Sequence, residues 1–142
     1  MAGRIEQENG SFSIQGLLCL MLILFLGAAL FDFIYMKQQA TRQFLLSTQL
    51  RMETTNGILI GCEYLALHPE VRAGLKHQPG REQELLNYVN ESLLISCRVY
   101  GVYKENGDVM LLAASTKAGK EERIAACLKK GKAGYVFDHW ER

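Results

Sequence analysis

Proline is almost missing from this chain: of 142 residues only Pro69 and Pro79 are proline, and positions 1–68 have none. A proline inside a helix removes a backbone hydrogen bond and clashes with the preceding turn, so nothing of that kind interrupts the N-terminal half. A charge imbalance is missing as well. The 16 basic and 15 acidic residues leave a net charge of +1, which gives no long-range field toward nucleic acid or acidic substrates. The sequence signatures of chemistry are also lacking. There is no nucleophile elbow, phosphate loop or HExxH, and the 4 cysteines show no metal-type spacing. His68, His77 and His139 are separated by loops and have no cysteine or carboxylate cluster beside them. No catalytic, cofactor or metal site is expected, and the chain is not expected to be an enzyme.

What is present is a long apolar run. From Ile14 to Phe31 no side chain carries a formal charge, and at about 1.5 Å per residue this makes roughly 27 Å of helix against ~30 Å of bilayer hydrocarbon. A buried helix of a soluble core would keep a polar stripe; Leu17 to Phe31 has none. A cleaved secretory signal would be shorter and end in a small-x-small site, whereas Gly27-Ala28-Ala29 is followed by Leu30, Phe31, Phe33 and Ile34. The run predicts a membrane span, with Asp32 as a solvated charge at its edge. Arg4 before it and Lys37 and Arg42 after it do not fix its orientation by the positive-inside count.

The residues ahead of the span, MAGRIEQENG and then Ser11-Phe12-Ser13-Ile14-Gln15, resemble the head of a type IV pilin-like protein. In that family a short polar leader ends in glycine, a prepilin peptidase cuts after it, and the mature chain starts with an apolar helix. Gly10 and Ser11 match the cleavage pair. Phe12, Ile14, Gln15, Leu17 and Leu18 match the start of the helix that packs against other subunits. Ser11 replaces the usual aromatic, and Gln15 stands where the family carries a glutamate. In the membrane that carboxylate would neutralise a neighbour's N-terminal amine, since an unpaired charge there is costly; Gln15 can hydrogen-bond but carries no charge. The resemblance therefore implies a minor, tip or initiating subunit, of the kind of minor pilins and competence pseudopilins, rather than a major pilin.

The resulting division is a leader over 1–10, a transmembrane helix over 11–36, a soluble continuation of the helical spine over 37–68, and a small α+β domain over 69–142. Along the spine Leu45, Thr48, Met52, Thr55, Leu59, Cys62 and Ala66 recur at three-and-four spacing, the period of one helix face. That stripe is expected to pack on the domain, with Asn56-Gly57 and Gly61 as weak points, and two helices hinged near Gly57 as the alternative. His68-Pro69 should end the helix. A loop is expected through Gly80, then a short amphipathic helix over 81–94 burying Leu85, Leu86, Val89 and Leu93.

Strands follow. Residues 95–104 alternate, and Asn106-Gly107 is a strong hairpin signal. A two-residue turn there pairs Tyr103 with Met110, Gly101 with Leu112 and Val99 with Ala114, which puts Met110, Leu112 and Ala114 on the core face. Residues 121–130 fit helix or strand by pattern; minor pilins end in short strands with a terminal aromatic, so the resemblance favours strand at 123–129. Residues 135–140 form a last strand with Trp140 as a packed edge aromatic. The fold class is thus α+β: a long N-terminal helix, half transmembrane and half soluble, on a small three- or four-stranded antiparallel sheet.

Cys19 lies in the span as an apolar filler. Among Cys62, Cys97 and Cys127, placed outside the cytoplasm where disulfides persist, Cys62 with Cys97 is the favoured pair and Cys97 with Cys127 the next, with reduced buried thiols an equal alternative. The Lys129, Lys130 and Lys132 cluster reads as a hairpin surface, with DNA contact the lesser reading. The function expected is assembly, in which the chain sits single-pass in the cytoplasmic membrane with its C-terminal domain outside. Its partners would be the membrane, the prepilin peptidase and other pilin or pseudopilin subunits of a type IV pilus, competence pseudopilus or type II secretion pseudopilus. A membrane-tethered ligand-binding or sensory domain, or an accessory subunit of a membrane enzyme, is the alternative.

Overall fold

The structure, a computed structural model, describes residues 2–131 and 134–141, with side chains from Ser13 onward. The element order is α1 (Ala2–Leu67), α2 (Pro69–His77), β1 (Gln83–Asn90), β2 (Ile95–Tyr103), β3 (Val109–Lys117), β4 (Lys120–Lys130) and β5 (Tyr135–Glu141). It is an α+β arrangement, a long apolar N-terminal helix followed by a small antiparallel sheet. Contacts divide the chain into two compact units, residues 1–43 and 44–142.

α1 runs through Gly57 and Gly61 without a break and stops at Leu67, since the residue before proline is pushed out of the α region. The loop expected next is instead a helix. Pro69 starts α2, Glu70 sits in its first turn, and Lys76 and His77 lie in its last, each at the end its charge or missing N–H favours.

The helix expected over 81–94 is corrected to strand β1 and a turn. A bulge between Glu84 and Leu86 lets both Leu85 and Leu86 pack against the core. Two adjacent apolar residues, rather than alternating ones, are what imitated a helical period.

The sheet has five strands, not three or four, in the order β1-β2-β3-β4-β5 with every neighbour antiparallel. Residues 123–129 are strand, as expected. The hairpin register is corrected by one: Tyr103 faces Val109, Gly101 faces Leu111 and Val99 faces Ala113. The cause is a three-residue loop. Gly107 N–H donates to the Lys104 carbonyl at 3.0 Å, Lys104 N–H donates to Asp108 at 2.8 Å, and Gly107 takes φ +92°. This is a turn closed by a glycine bulge, not a two-residue turn. A slip of one residue reverses the faces of a strand, so Val109, Leu111 and Ala113 are buried while Met110, Leu112 and Ala114 lie on the opposite face. The β3–β4 turn is the two-residue one, with positive φ at Ala118 (50°) and Gly119 (76°).

In the unit 44–142 the core joins Ile58 and Leu65 of α1 and Leu75 of α2 to Cys97, Val99, Val109, Leu111, Ala113, Ala126 and Leu128 of the sheet. The stripe of α1 that meets the sheet is Leu50, Glu53, Thr54, Gly57, Ile58, Gly61 and Leu65. That corrects most of the expected one: Leu45, Met52 and Leu59 are exposed, while Cys62 packs against the core as expected. The two glycines are contact points rather than weak points. A Cβ on Gly57 would lie 2.8 Å from Cys97 Sγ, and one on Gly61 would lie 2.9 Å from Val99 Cγ1.

Candidate assembly surfaces

The apolar part of α1 is one candidate surface. It is long and apolar enough to cross a membrane, and none of its most apolar stretch is buried within the chain. Ile14 is 63% exposed, and Gln15, Leu17 and Leu18 are exposed beside it. They stand on the helix without being brought against any other element. Gly10, Ser11 and Phe12 fall within α1, and their side chains lie outside the described residues. At the polar end of the run Lys37 Nζ stands 5.6 Å from the centre of the Phe33 ring, where a long cationic side chain covers apolar surface and keeps its head in water.

The outward side of α1 in the unit 44–142 is a second surface. Phe44, Thr48, Arg51, Met52 and Thr55 line a groove of about 620 Å³. Arg51 and Thr55 also line one of about 520 Å³ that reaches Ile124 on β4 and Trp140 on β5. Trp140 is half-exposed and packs tilted against Phe137, with ring centres 5.0 Å apart. The edges of the sheet offer less. β1 carries its bulge, and β5 skips Asp138 in its pairing with β4; bulges of this kind discourage strand addition by another chain.

The polar groups that α1 buries hold it to the sheet. Thr54 Oγ1 donates to the Leu50 carbonyl at 2.7 Å, Ser115 Oγ donates to the same carbonyl at 2.8 Å, and the two hydroxyls touch. Glu53, which is buried, accepts from Asn90 Nδ2 at 3.0 Å. Nearby, burial and contact with Cys97 and Glu53 push the Tyr88 phenol well above its usual range.

Cys19, Cys62, Cys97 and Cys127 are free thiols. The favoured Cys62–Cys97 bond is not formed, because Cys97 sits against Gly57 with its Sγ directed to the Glu53 carbonyl, more than a helical turn before Cys62. Burial pushes the Cys62, Cys97 and Cys127 thiols up, which keeps them protonated and poor nucleophiles. His68 pairs with Glu70 at 2.9 Å and His139 with Asp138 at 2.6 Å. Among the described residues no cluster of three His, Cys, Asp or Glu could hold a metal. Lys129 pairs with Asp138 at 3.0 Å, which spends part of the lysine cluster's charge inside the sheet; Lys132 lies outside the described residues.

No protein-family model matches the chain, and no curated protein or solved structure is significantly similar to it. The sequence reading took Gly57 and Gly61 as weak points and missed their packing role. Their signal was a small-xxx-small spacing of four on one helix face, which permits close approach of whatever packs there.

Proposed function

We propose that this protein is a membrane-anchored assembly subunit of the pilin-like kind, held in the bilayer through α1 and presenting the α+β unit in water. The observation that supports it most is the division of labour along one helix. From Leu17 to Phe31 the side chains of α1 are apolar and exposed, and between Leu50 and Leu65 it is the layer that covers an antiparallel sheet. A helix that is oily on all sides finds its stable environment in lipid or among other such helices. A charged residue in that stretch would be costly, and none occurs there.

In this reading the leader is removed after Gly10, Ser11 becomes the N-terminus, and Phe12, Ile14, Leu17 and Leu18 meet the helices of other subunits. Gln15 offers a hydrogen bond to a neighbouring N-terminal amine without neutralising it, which suits a subunit with none stacked above it. The work is structural, and no residue need carry out a reaction. Mass spectrometry of the chain purified from membranes tests the reading. An N-terminus at Ser11, lost when the prepilin peptidase gene is deleted, is the expected result; an intact Met1 or Ala2 in cells that possess the peptidase refutes it.

A further inference from the structure

Asparagine is followed by glycine twice in the chain, at Asn56-Gly57 and at Asn106-Gly107. This pair is open to a spontaneous reaction, because glycine has no Cβ to shield its backbone nitrogen and leaves the main chain free to turn. The nitrogen gives up its proton to solvent and attacks Cγ of the asparagine. An N–C bond forms, the Cγ–Nδ2 bond breaks, ammonia leaves with a proton from solvent, and a succinimide ring remains. One water then opens the ring at either carbonyl, giving aspartate or isoaspartate. Nothing is oxidised or reduced.

The fold treats the two pairs differently. Asn56 lies inside α1, where the Gly57 N–H belongs to the helical ladder and Gly57 is buried close to Cys97, Ala113 and Val99. To bring that nitrogen to Cγ, α1 must unwind and lift from the sheet. Asn106 stands exposed in the three-residue loop between β2 and β3. There the Gly107 nitrogen is held by one bond to the Lys104 carbonyl at 3.0 Å, and the space a Cβ would take at Gly107 has only the Tyr103 hydroxyl nearby, at 3.7 Å. The electrophile is prepared as well. Asp108 N–H donates to Asn106 Oδ1 at 3.1 Å, the oxygen on which negative charge collects as Cγ becomes tetrahedral, so this backbone donor is placed as an oxyanion-hole donor would be.

We propose that Asn106 is a modification site, converted by water to aspartate and isoaspartate in the folded chain while Asn56 is spared, and that the change loosens the β2–β3 loop. The loosening follows from what Asn106 holds. Its Nδ2 donates to Asp108 Oδ2 at 2.7 Å, and deamidation replaces that donor by a carboxylate, so an attraction becomes a repulsion with Glu105 adjacent. Isoaspartate also adds a carbon to the main chain ahead of Gly107. The paired bonds from Gly107 N–H to the Lys104 carbonyl and from Lys104 N–H to the Asp108 carbonyl are built on the shorter path. These are the bonds that set the register of β2 on β3. The inference is independent of the membrane-anchored reading above, since it uses only the unit 44–142.

The test incubates the full chain in detergent in mildly alkaline buffer and follows the peptides carrying Asn56 and Asn106 by mass spectrometry, in which exchange of ammonia for water shifts the mass. Asn106 should convert at least about tenfold faster than Asn56, because Asn56 must wait for a rarer opening of α1. In concentrated guanidinium chloride, which removes the fold, the two rates should converge. Chains separated by their added negative charge should melt a few degrees below fresh ones by Trp140 fluorescence. Asn106→Gln, whose longer side chain closes a ring far more slowly, should keep its starting Tm through the same incubation. The proposal is overturned if Asn56 converts as fast as Asn106 in the folded chain, or if the rate difference persists unchanged in guanidinium chloride. It is also overturned if the converted chain melts with the fresh one, or if the Asn106→Gln variant loses stability on incubation as the native chain does.

Discussion

Replacing Gly57 or Gly61 by alanine sets two effects against each other. Alanine in a helix interior is favoured over glycine by about 1 kcal/mol, so in open space either change would stabilise the protein. The space is not open. A Cβ on Gly57 would meet Cys97 Sγ at 2.8 Å and Ala113 Cβ at 3.3 Å; on Gly61 it would meet Val99 Cγ1 at 2.9 Å and Leu111 Cδ1 at 3.3 Å. Cys97, Val99 and Leu111 are 0% exposed, and a β-branched valine has little rotamer freedom with which to retreat. Extra methyl groups in a packed interior cost typically about 1–3 kcal/mol, and separating α1 from the sheet also loosens the contacts that flank the glycine. The steric cost wins, more clearly at Gly61, with a net loss of about 1–2 kcal/mol there. Gly74 in α2 is the internal control, because nothing lies within 4 Å of its Cβ position. Gly74→Ala should gain about 0.4–1 kcal/mol.

Trp140 is the only tryptophan in the chain, so its fluorescence during thermal unfolding in detergent follows the sheet unit while the apolar part of α1 stays silent. With about 4–8 °C per kcal/mol for a unit of this size, Gly61→Ala should lower Tm by about 4–16 °C and Gly74→Ala should raise it. Adding Cys97→Ala to Gly57→Ala removes the sulfur that the new methyl strikes. The double variant should then lose less than the sum of the two single changes. If Gly57→Ala and Gly61→Ala both raise Tm as Gly74→Ala does, close helix–sheet contact is not what the glycines provide.

Three further expectations follow from the same unit. Ala118 holds φ +50° in the β3–β4 turn, a region that glycine enters without strain, so Ala118→Gly should raise Tm of the Trp140 transition by a few degrees, corresponding to about 0.5–1 kcal/mol. Thr54→Val and Ser115→Ala each remove one hydroxyl from the shared Leu50 carbonyl and should each cost about 1–3 kcal/mol in urea unfolding, with the double variant costing less than their sum because they are partners. Stability should also fall at high pH. The Cys97 thiol is raised above 9.0 and the Tyr88 phenol above 10.0 by burial, so both stay neutral in the folded chain after the unfolded chain has begun to ionise. Their contribution is complete below about pH 9 and is lost as pH rises through the folded values. Tm measured from about pH 7.5 to about pH 10.5 should decline, and Cys97→Ala should flatten part of that decline.

Much of the architecture could be read from residue order. The apolar N-terminal run, the stop before Pro69, the strand alternation from Ile95 and the final strand all follow from local chemistry. The failures came from single-residue insertions into regular patterns. At β1 a bulge set Leu85 and Leu86 side by side and hid the alternation. At Asn106-Gly107 the glycine formed a bulge after the turn instead of half of a two-residue turn, and the shift carried every side chain of β3 to the other face. Both are backbone choices that hydrophobic periodicity does not encode, because a bulge changes the period it is measured with.

The choice of the wrong face of α1 has a different cause. Sequence periodicity detects a buried face by its bulky apolar residues, and the sheet-facing row of α1 is defined partly by what it lacks. Gly57 and Gly61 have no side chain, and Glu53 and Thr54 are polar yet buried, with partners in Asn90 and Ser115. Against that row the regular Leu45, Met52 and Leu59 on the opposite side look like the core. When two opposite faces of one helix are both apolar, their contributions to amphipathic character cancel, and the more regular face is selected whichever one is buried. A sheet rewards small residues where the helix must come close, and Gly57 and Gly61 supply them on the buried side of α1. The two sides therefore answer differently to substitution: Gly61→Ala should lower Tm of the Trp140 transition, whereas Met52→Lys, on the exposed side, should leave it unchanged.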